Sequence, residues 1–205
     1  MSNPVHEIIL RRASTGLLQP GISISRDVIE RLVGLATRAP SAFNLQNWRF
    51  VIVDTLDAKR RLRAAAYDQA KVTDAATVVI IVGTTPDPTR LRRDLGEAVS
   101  AGILPADLEN VWVEQARGKY GGNPQAERDE AICSASLAAA TLLIAVEAEG
   151  LESCPMNGFD PAGVARGFGL SDGEIPVMLV AIGKAAPQSW PQKPRRSLSR
   201  VMSYA

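Results

Sequence analysis

One histidine, His6, and two cysteines, Cys133 and Cys154, are all that the 205 residues offer as imidazole or thiolate ligands. A histidine-based metal site or a Ser/His/Asp triad therefore finds no footing, and no metal centre is expected. The cysteines lack Cys-x-x-Cys spacing and read as structural thiols of a reducing, cytoplasmic protein rather than as a disulfide framework. An excess of one charge is missing too. The 23 Lys and Arg stand against 22 Asp and Glu, which argues against a nucleic-acid partner. The N-terminus, Met1-Ser2-Asn3-Pro4-Val5-His6-Glu7, has neither a basic start nor a long apolar run, so no secretory signal is expected. The most apolar helical stretch, Ala135 to Val146, falls short of the ~20 residues of a membrane span and runs into Glu147 and Glu149. It reads as a core helix, with no membrane partner implied. The glycines form neither Gly-x-Gly-x-x-Gly nor a Walker loop in the right setting, so neither a dinucleotide fold nor a P-loop is supported.

What is present is a globular composition, 46% hydrophobic and 22% charged, long enough for one domain, residues 1–205, with a substantial core. Val5, Ile8 and Ile9 share one face of a first helix predicted to end near Ser14. Ser25 is placed to cap a second helix carrying Val28, Leu32, Leu35 and Ala36, stopped by Pro40. Trp48 to Asp54 is rich in aromatic and β-branched residues and predicts a strand. Helix returns over Asp57 to Ala66, anchored by Leu62 with Arg60, Arg61 and Arg63 on a solvated face. The continuous apolar runs Thr77 to Thr84 and Pro176 to Gly183 predict strands buried on both faces. Between them, residues 85–128 break into short pieces, with helices near 91–101 and 107–117, and read as an excursion from the core. Asp129 to Glu149 is the longest predicted helix, closed by Gly150, and Asp160 caps a short one ending at Phe168. The fold class is α+β: a mainly antiparallel central sheet wrapped by helices, with an extended C-terminal arm.

Four local clusters carry possible chemistry. Arg11-Arg12-Ala13-Ser14-Thr15 joins two guanidinium groups to hydroxyls, a good oxyanion set, or else an ordinary solvated helix end. Pro40 to Trp48 offers small residues for close approach, and Asn44 and Gln46 as donors and acceptors; by composition alone it is also just a polar loop. Cys154-Pro155-Met156-Asn157-Gly158-Phe159-Asp160 puts a flexible glycine and exposed amides ahead of a helix start, or forms a tight turn with Asp160 as its cap. Lys193-Pro194-Arg195-Arg196-Ser197 is either a solubilising tail or the second half of a phosphate site.

In this order and spacing the clusters resemble the FMN-dependent nitroreductase family. The resemblance runs from Ile8 to Val201, and its most specific parts are Pro-Ser-Ala-Phe-Asn-Leu-Gln-Asn-Trp at 40–48, Pro-Met-Asn-Gly-Phe-Asp at 155–160 and Lys-Pro-Arg at 193–195. It implies a nitroreductase-like α+β fold and a homodimer with two FMN sites built across the interface. Arg12, Ala13 and Ser14, with Lys193 and Arg195, would hold the FMN phosphate. Pro40, Ser41, Ala42 and Asn44 would come from the other subunit to the ring and ribityl chain. Gln69 and Lys71 would meet the pyrimidine side, and Pro155, Met156, Asn157 and Gly158 would pass along the ring with an amide directed at N5. An ammonium such as Lys71 would stabilise the negative charge that reduction places on the N1–O2 edge.

The implied activity is an NAD(P)H-dependent oxidoreductase that passes hydride through flavin to a nitroaromatic, quinone or similar small-molecule acceptor in ping-pong fashion. No side chain need act as acid or base, which suits a chain with one histidine. Two other readings stay open: a specialised flavin enzyme of the same fold, such as a reductive dehalogenase or flavin-destroying synthase, and an FMN-binding carrier without turnover. Ala13 and Gly16 depart from the basic or polar residues common in the family and imply fewer contacts to the phosphate or ring edge. Residues 85–128 would lie near the substrate face.

Overall fold

The computed structural model describes residues 3–205. Its frame is one four-stranded sheet in the order β1-β2-β4-β3, formed by β1 (Trp48–Val53), β2 (Thr77–Thr84), β3 (Glu152–Met156) and β4 (Glu174–Gly183). All three pairings are antiparallel. The two continuous apolar runs take the two central places, as buried-on-both-faces strands should. Val78 to Val82 and Leu179 to Ile182 are almost completely buried.

Helices cover both faces. On one, α2 (Arg26–Ala36) and the long α7 (Pro124–Ala148) pack Leu32, Ala36, Ala135, Ala139, Leu142 and Val146 against Val79, Ile81, Val180 and Ile182. On the other, α3 (Leu56–Ala65), the single turn α4 (Lys71–Asp74) and α8 (Pro161–Phe168) bury Leu62, Val72 and Val164 against Val78, Ile80, Val82 and Leu179. The alternation of β2 side chains between the two clusters is the period-2 geometry of a strand. Gly83 is required where β2 meets α7, because a Cβ there would lie 2.4 Å from the Ala131 carbonyl oxygen. A third, smaller cluster lies apart, formed by α5 (Pro88–Ser100) and α6 (Ala106–Tyr120) around Leu91, Leu95, Val113, Ala116 and Tyr120.

Several boundaries differ from the sequence reading, each for a local reason. The first helix, α1 (Pro4–Arg11), stops before Ser14 because Ser14 pairs with Ser153 and the Thr15 amide bonds the Ser153 carbonyl. In α2 the buried anchors are Ile29, Leu32 and Ala36; Leu35 points outward, and the helix ends at Ala36, well before Pro40. Ser25 takes the N-cap position without a side-chain hydrogen bond. Arg60 and Arg61 are exposed as expected, and Arg63 on the same helix is half-buried and bonds Asp68 and Thr73. Strand β3 escapes a pattern search because it contains Pro155, which a strand tolerates at a sheet edge.

The largest correction concerns α7. Asn123 accepts a bond from the Ala126 amide and starts the helix at Pro124 rather than Asp129. At 25 residues it is long and apolar enough to cross a membrane, so the length argument against a span fails. What identifies it as a core helix is its packing, with Ala131, Ala135, Ala138, Ala139 and Leu142 fully buried. Beyond β4 the chain extends as an exposed arm to a short turn at Leu198–Arg200.

Candidate functional site

The arm returns to the end of α1. Ser14, Pro191, Gln192, Lys193 and Arg195 line a cavity of about 50 Å³. Gln192 Nε2 donates to the Arg12 carbonyl at 2.8 Å, tying the arm to residue 12. Arg195 Nη1 donates to the Lys193 carbonyl at 3.2 Å, curling the two cations into one turn. No carboxylate lines the cavity, so its chemistry is that of an oxyanion acceptor: two cations, a hydroxyl and an amide. Nearby, Arg12 Nη1 is buried and has no hydrogen-bond partner among the described residues. A charged donor left in that state costs free energy until something accepts from it. Trp190 fills the space beside Gly16, whose missing Cβ would lie 3.5 Å from the indole, so Gly16 makes room for the arm. Ala13 is half-buried and makes no side-chain hydrogen bond.

A larger, shallower cleft of about 430 Å³ lies along α3, lined by Arg60, Arg63 and Asp68 among others. Its charges are already paired, Arg63 with Asp68 and Arg60 with Asp57. It offers no free cation pair to an anion.

From Ser14 the site continues along β3 through the Ser14–Ser153 bridge. Lys71 Nζ donates to Cys154 Sγ at 3.7 Å, placing the ammonium beside this strand. Lys71 opens α4 after a turn in which Tyr67 and Asp68 both have positive φ, 51° and 55°. The Arg63–Asp68 pair at 2.7 Å holds that turn. Gln69 Nε2 donates to the carbonyls of Gly158 and Ala66 at 2.7 and 3.1 Å, so its amide hydrogens are used within the chain. Met156 turns its side chain into the core, Pro155 is half-buried, and Asn157 and Gly158 are exposed. The Asn157 and Gly158 amides make no backbone hydrogen bond among the described residues and stand as surface donors.

The loop before β1 is built differently. Phe43, Asn44 and Gln46 have positive φ of 52°, 58° and 46°. Ser41 Oγ accepts from the Gln46 amide at 2.9 Å, and Arg90 Nη2 donates to the Leu45 carbonyl at 3.1 Å. The Phe43 ring meets Trp112 and Tyr120 edge-on. Tyr120 donates to Glu130 at 2.7 Å, and burial together with that carboxylate pushes its phenol above the usual range. Asn47 is fully buried and pairs with Thr84. Pro40 and Asn44 are exposed, and Ser41 and Ala42 are half-buried.

The expected site residues therefore fall into two groups. One edge of the sheet brings together Ser14, Lys71, Gln69, Pro155 to Gly158, Lys193 and Arg195, with Arg12 alongside. The Pro40–Asn44 loop leads into β1, at the opposite edge. Three interstrand steps, roughly 14 Å, separate the two edges within one chain. Gln192 and Arg90 went unnoticed as contributors, and Cys154, named only as part of its cluster, was not expected to contact Lys71. Gln192 and Arg90 act through groups bonded to main-chain carbonyls, which leave no mark in the residue pattern.

A family model described as the nitroreductase family matches residues 9–184. YodC of Bacillus subtilis, which carries the name of an NAD(P)H nitroreductase, is 33% identical over 97% of each chain. An NADH dehydrogenase of Thermus thermophilus is 34% identical over 88% of this chain and 86% of its own. Among solved structures, a nitroreductase of Exiguobacterium sibiricum in complex with FMN superimposes with a TM-score of 0.90 at 26% identity, covering 100% of this chain and 99% of its own.

Proposed function

Since the chain belongs to the nitroreductase family, we propose that it is an NAD(P)H-dependent FMN oxidoreductase that reduces a nitroaromatic, quinone or similar acceptor by a ping-pong cycle. The observation that carries this reading is the cavity of Ser14, Gln192, Lys193 and Arg195, with the buried, unpartnered Arg12 Nη1 nearby. A phosphomonoester carries close to two negative charges and three acceptor oxygens, which is what this donor set lacks. The fit is therefore good, even with Ala13 and Gly16 contributing no side-chain donor.

Bound flavin would supply the two-electron chemistry that no side chain here offers. Arg12, Ser14, Lys193 and Arg195 would hold its phosphate. The amides of Asn157 and Gly158 would donate toward the flavin, and Gln69 keeps that segment in place through the Gly158 carbonyl. Lys71 holds a positive charge beside β3, where it would favour a negatively charged group. The Pro155 and Met156 backbone would border the flavin, while the Met156 side chain serves the core.

Residues 1–205 act as one domain, and the working unit is a homodimer in the cytoplasm, where Cys133 and Cys154 stay reduced. Two observations support the dimer. The Pro40–Asn44 loop leads into β1, at the sheet edge opposite β3, an arrangement that suits a second copy bringing Pro40, Ser41, Ala42 and Asn44 to the phosphate edge. The chain also leaves Ile9, Leu10, Leu137, Leu198 and Val201 exposed on α1, α7 and the arm, apolar surface that a partner copy would cover.

An absorption spectrum of the purified protein, recorded anaerobically before and after NADH or NADPH, tests the reading. A flavin band that bleaches supports it. A protein that stays colourless after incubation with FMN overturns it.

A further inference from the structure

We propose that Tyr120 is a positioning residue: acting through Phe43, it fixes the loop at residues 41–46 and thereby sets how tightly the electron acceptor is held. The second half of this statement rests on the function proposed above, in which that loop faces the flavin site of the partner copy.

The backbone of the loop needs an external restraint. Phe43 (φ 52°, ψ 17°), Asn44 and Gln46 lie in the left-handed region. That region costs an L-residue about 1–2 kcal/mol, and only Asn among the three is suited to it. Phe43 is the poorest fit, because a bulky side chain gains nothing locally there. Its compensation is packing. The ring meets Trp112 at 6.4 Å and 65° and Tyr120 at 6.4 Å and 86°, both edge-to-face arrangements.

Tyr120 is the better fixed of the two partners. Its residue exposure is 2%, and its hydroxyl donates to Glu130 Oε2 at 2.7 Å. Ser134 Oγ donates to the other carboxylate oxygen at 2.8 Å, and Lys119 Nζ lies 3.9 Å away. Glu130 and Ser134 sit one turn apart on α7, and the intervening Ala131 packs against Gly83 of β2. The last residue of α6 is thereby fastened to the central sheet through α7, and the Phe43 ring rests on that fixed point. Gly121 follows immediately because a Cβ there would come within 2.6 Å of the Arg117 carbonyl oxygen. Arg90 adds a second tie at the Leu45 carbonyl.

This chain runs through the 85–128 excursion, which the cofactor contacts leave without a role. Its cluster is separate from the two that bury the sheet, so loosening it need not unfold the frame. Three amides report directly on the loop: Asn44 to the Ser41 carbonyl, Leu45 to the Ala42 carbonyl, and Gln46 to Ser41 Oγ.

The test compares the FMN-loaded wild-type protein with Tyr120→Phe, which loses only the hydroxyl, and with Phe43→Ala and Phe43→Tyr. Hydrogen exchange is measured at Asn44, Leu45 and Gln46 and at β2 and β4, with the flavin content of each preparation recorded. Tyr120→Phe is expected to speed exchange at the three loop amides about tenfold while β2 and β4 stay protected, and Phe43→Ala to do more. Phe43→Tyr keeps the ring and is expected to restore protection. In turnover with NADH and p-benzoquinone, the KM for the quinone rises several-fold, by more than kcat changes, as expected when the loop bordering the site at which the acceptor meets the flavin is loosened. Unchanged loop exchange overturns the proposal, and so does faster exchange spread equally over β2 and β4. Faster loop exchange with an unchanged KM overturns its functional half. A wild-type protein that takes up no FMN refutes the oxidoreductase reading instead, and exchange in that protein still decides whether Tyr120 positions the loop.

Discussion

Arg12→Met separates a ligand-binding arginine from a structural one, because the two predict opposite signs. Arg12 Nη1 is buried and finds no hydrogen-bond partner among the described residues. Methionine keeps most of the apolar stem and removes the unsatisfied group, whose burial costs about 1–3 kcal/mol. The FMN-free variant should therefore be as stable as wild type or more so. A gain of 1 kcal/mol would raise Tm by about 2–4 °C in a chain of this size. FMN binding should move the other way. A hydrogen bond to a charged group contributes roughly 1.5–3 kcal/mol, so the dissociation constant should rise about 10- to 100-fold. By linkage, the variant then gains less from added FMN, losing roughly 1.4–2.8 kcal/mol of stabilisation at saturating ligand. The melting curves should cross: at or above wild type without FMN, below it with FMN. Thermal melts at graded FMN, with affinity from quenching of flavin fluorescence, read both quantities. A variant that loses several degrees without FMN and binds it as wild type does would make Arg12 a structural residue and refute the reasoning.

Lys71→Ala removes the cation held against Cys154 and should slow anaerobic flavin reduction about tenfold, a loss of roughly 1.4 kcal/mol in barrier terms, with a smaller effect on FMN affinity. Stopped-flow rates equal to wild type would remove Lys71 from the mechanism. Glu174 tests the frame rather than the site. Burial alone would raise its pKa, but the hydrogen bonds from Arg49 and the Ser171 amide outweigh that and hold the carboxyl below its ordinary 4.5. A depressed folded-state pKa stabilises above the unfolded value and loses that contribution as pH falls through the folded one. Glu174→Gln should thus cost up to about 1 kcal/mol at pH 7, and the gap from wild type should close as pH drops below 4.5. A gap that stays constant down to acid unfolding would show that the pair contributes nothing.

The parts of the fold legible in the sequence are those whose pattern has one physical solution. An unbroken apolar run such as Thr77 to Thr84 can be solvated on neither face, so it has to lie mid-sheet. Asp160 before Pro161 can hardly be anything but a helix start. The failures come where a tertiary partner decides. Ser14 is drawn out of the first helix by pairing with Ser153, some 140 residues later, a long-range constraint that no local window contains. Pro155 reads as a strand breaker until the strand is known to be an edge. The length of α7 turned on Asn123, a cap that stood among turn residues and gave no reason to extend the helix forward.

The same distinction governs the site. Cations and hydroxyls gathered around one cavity are visible as clusters, because the chemistry of an oxyanion demands them wherever they fall in the chain. Ser14 and Lys193 show this, lying far apart in sequence and sharing one cavity. Residues that hold those contacts in place are invisible, because many side chains could do so. Nothing marks Tyr120 as the support for Phe43 until both rings and Glu130 are seen together. Positive φ at Phe43 is the decisive clue, since a bulky residue stays in that conformation only where its surroundings over-determine it. Strain of this kind marks a position at which the protein has given up local stability for geometry. Here the geometry falls on the loop that the resemblance assigns to the partner's flavin.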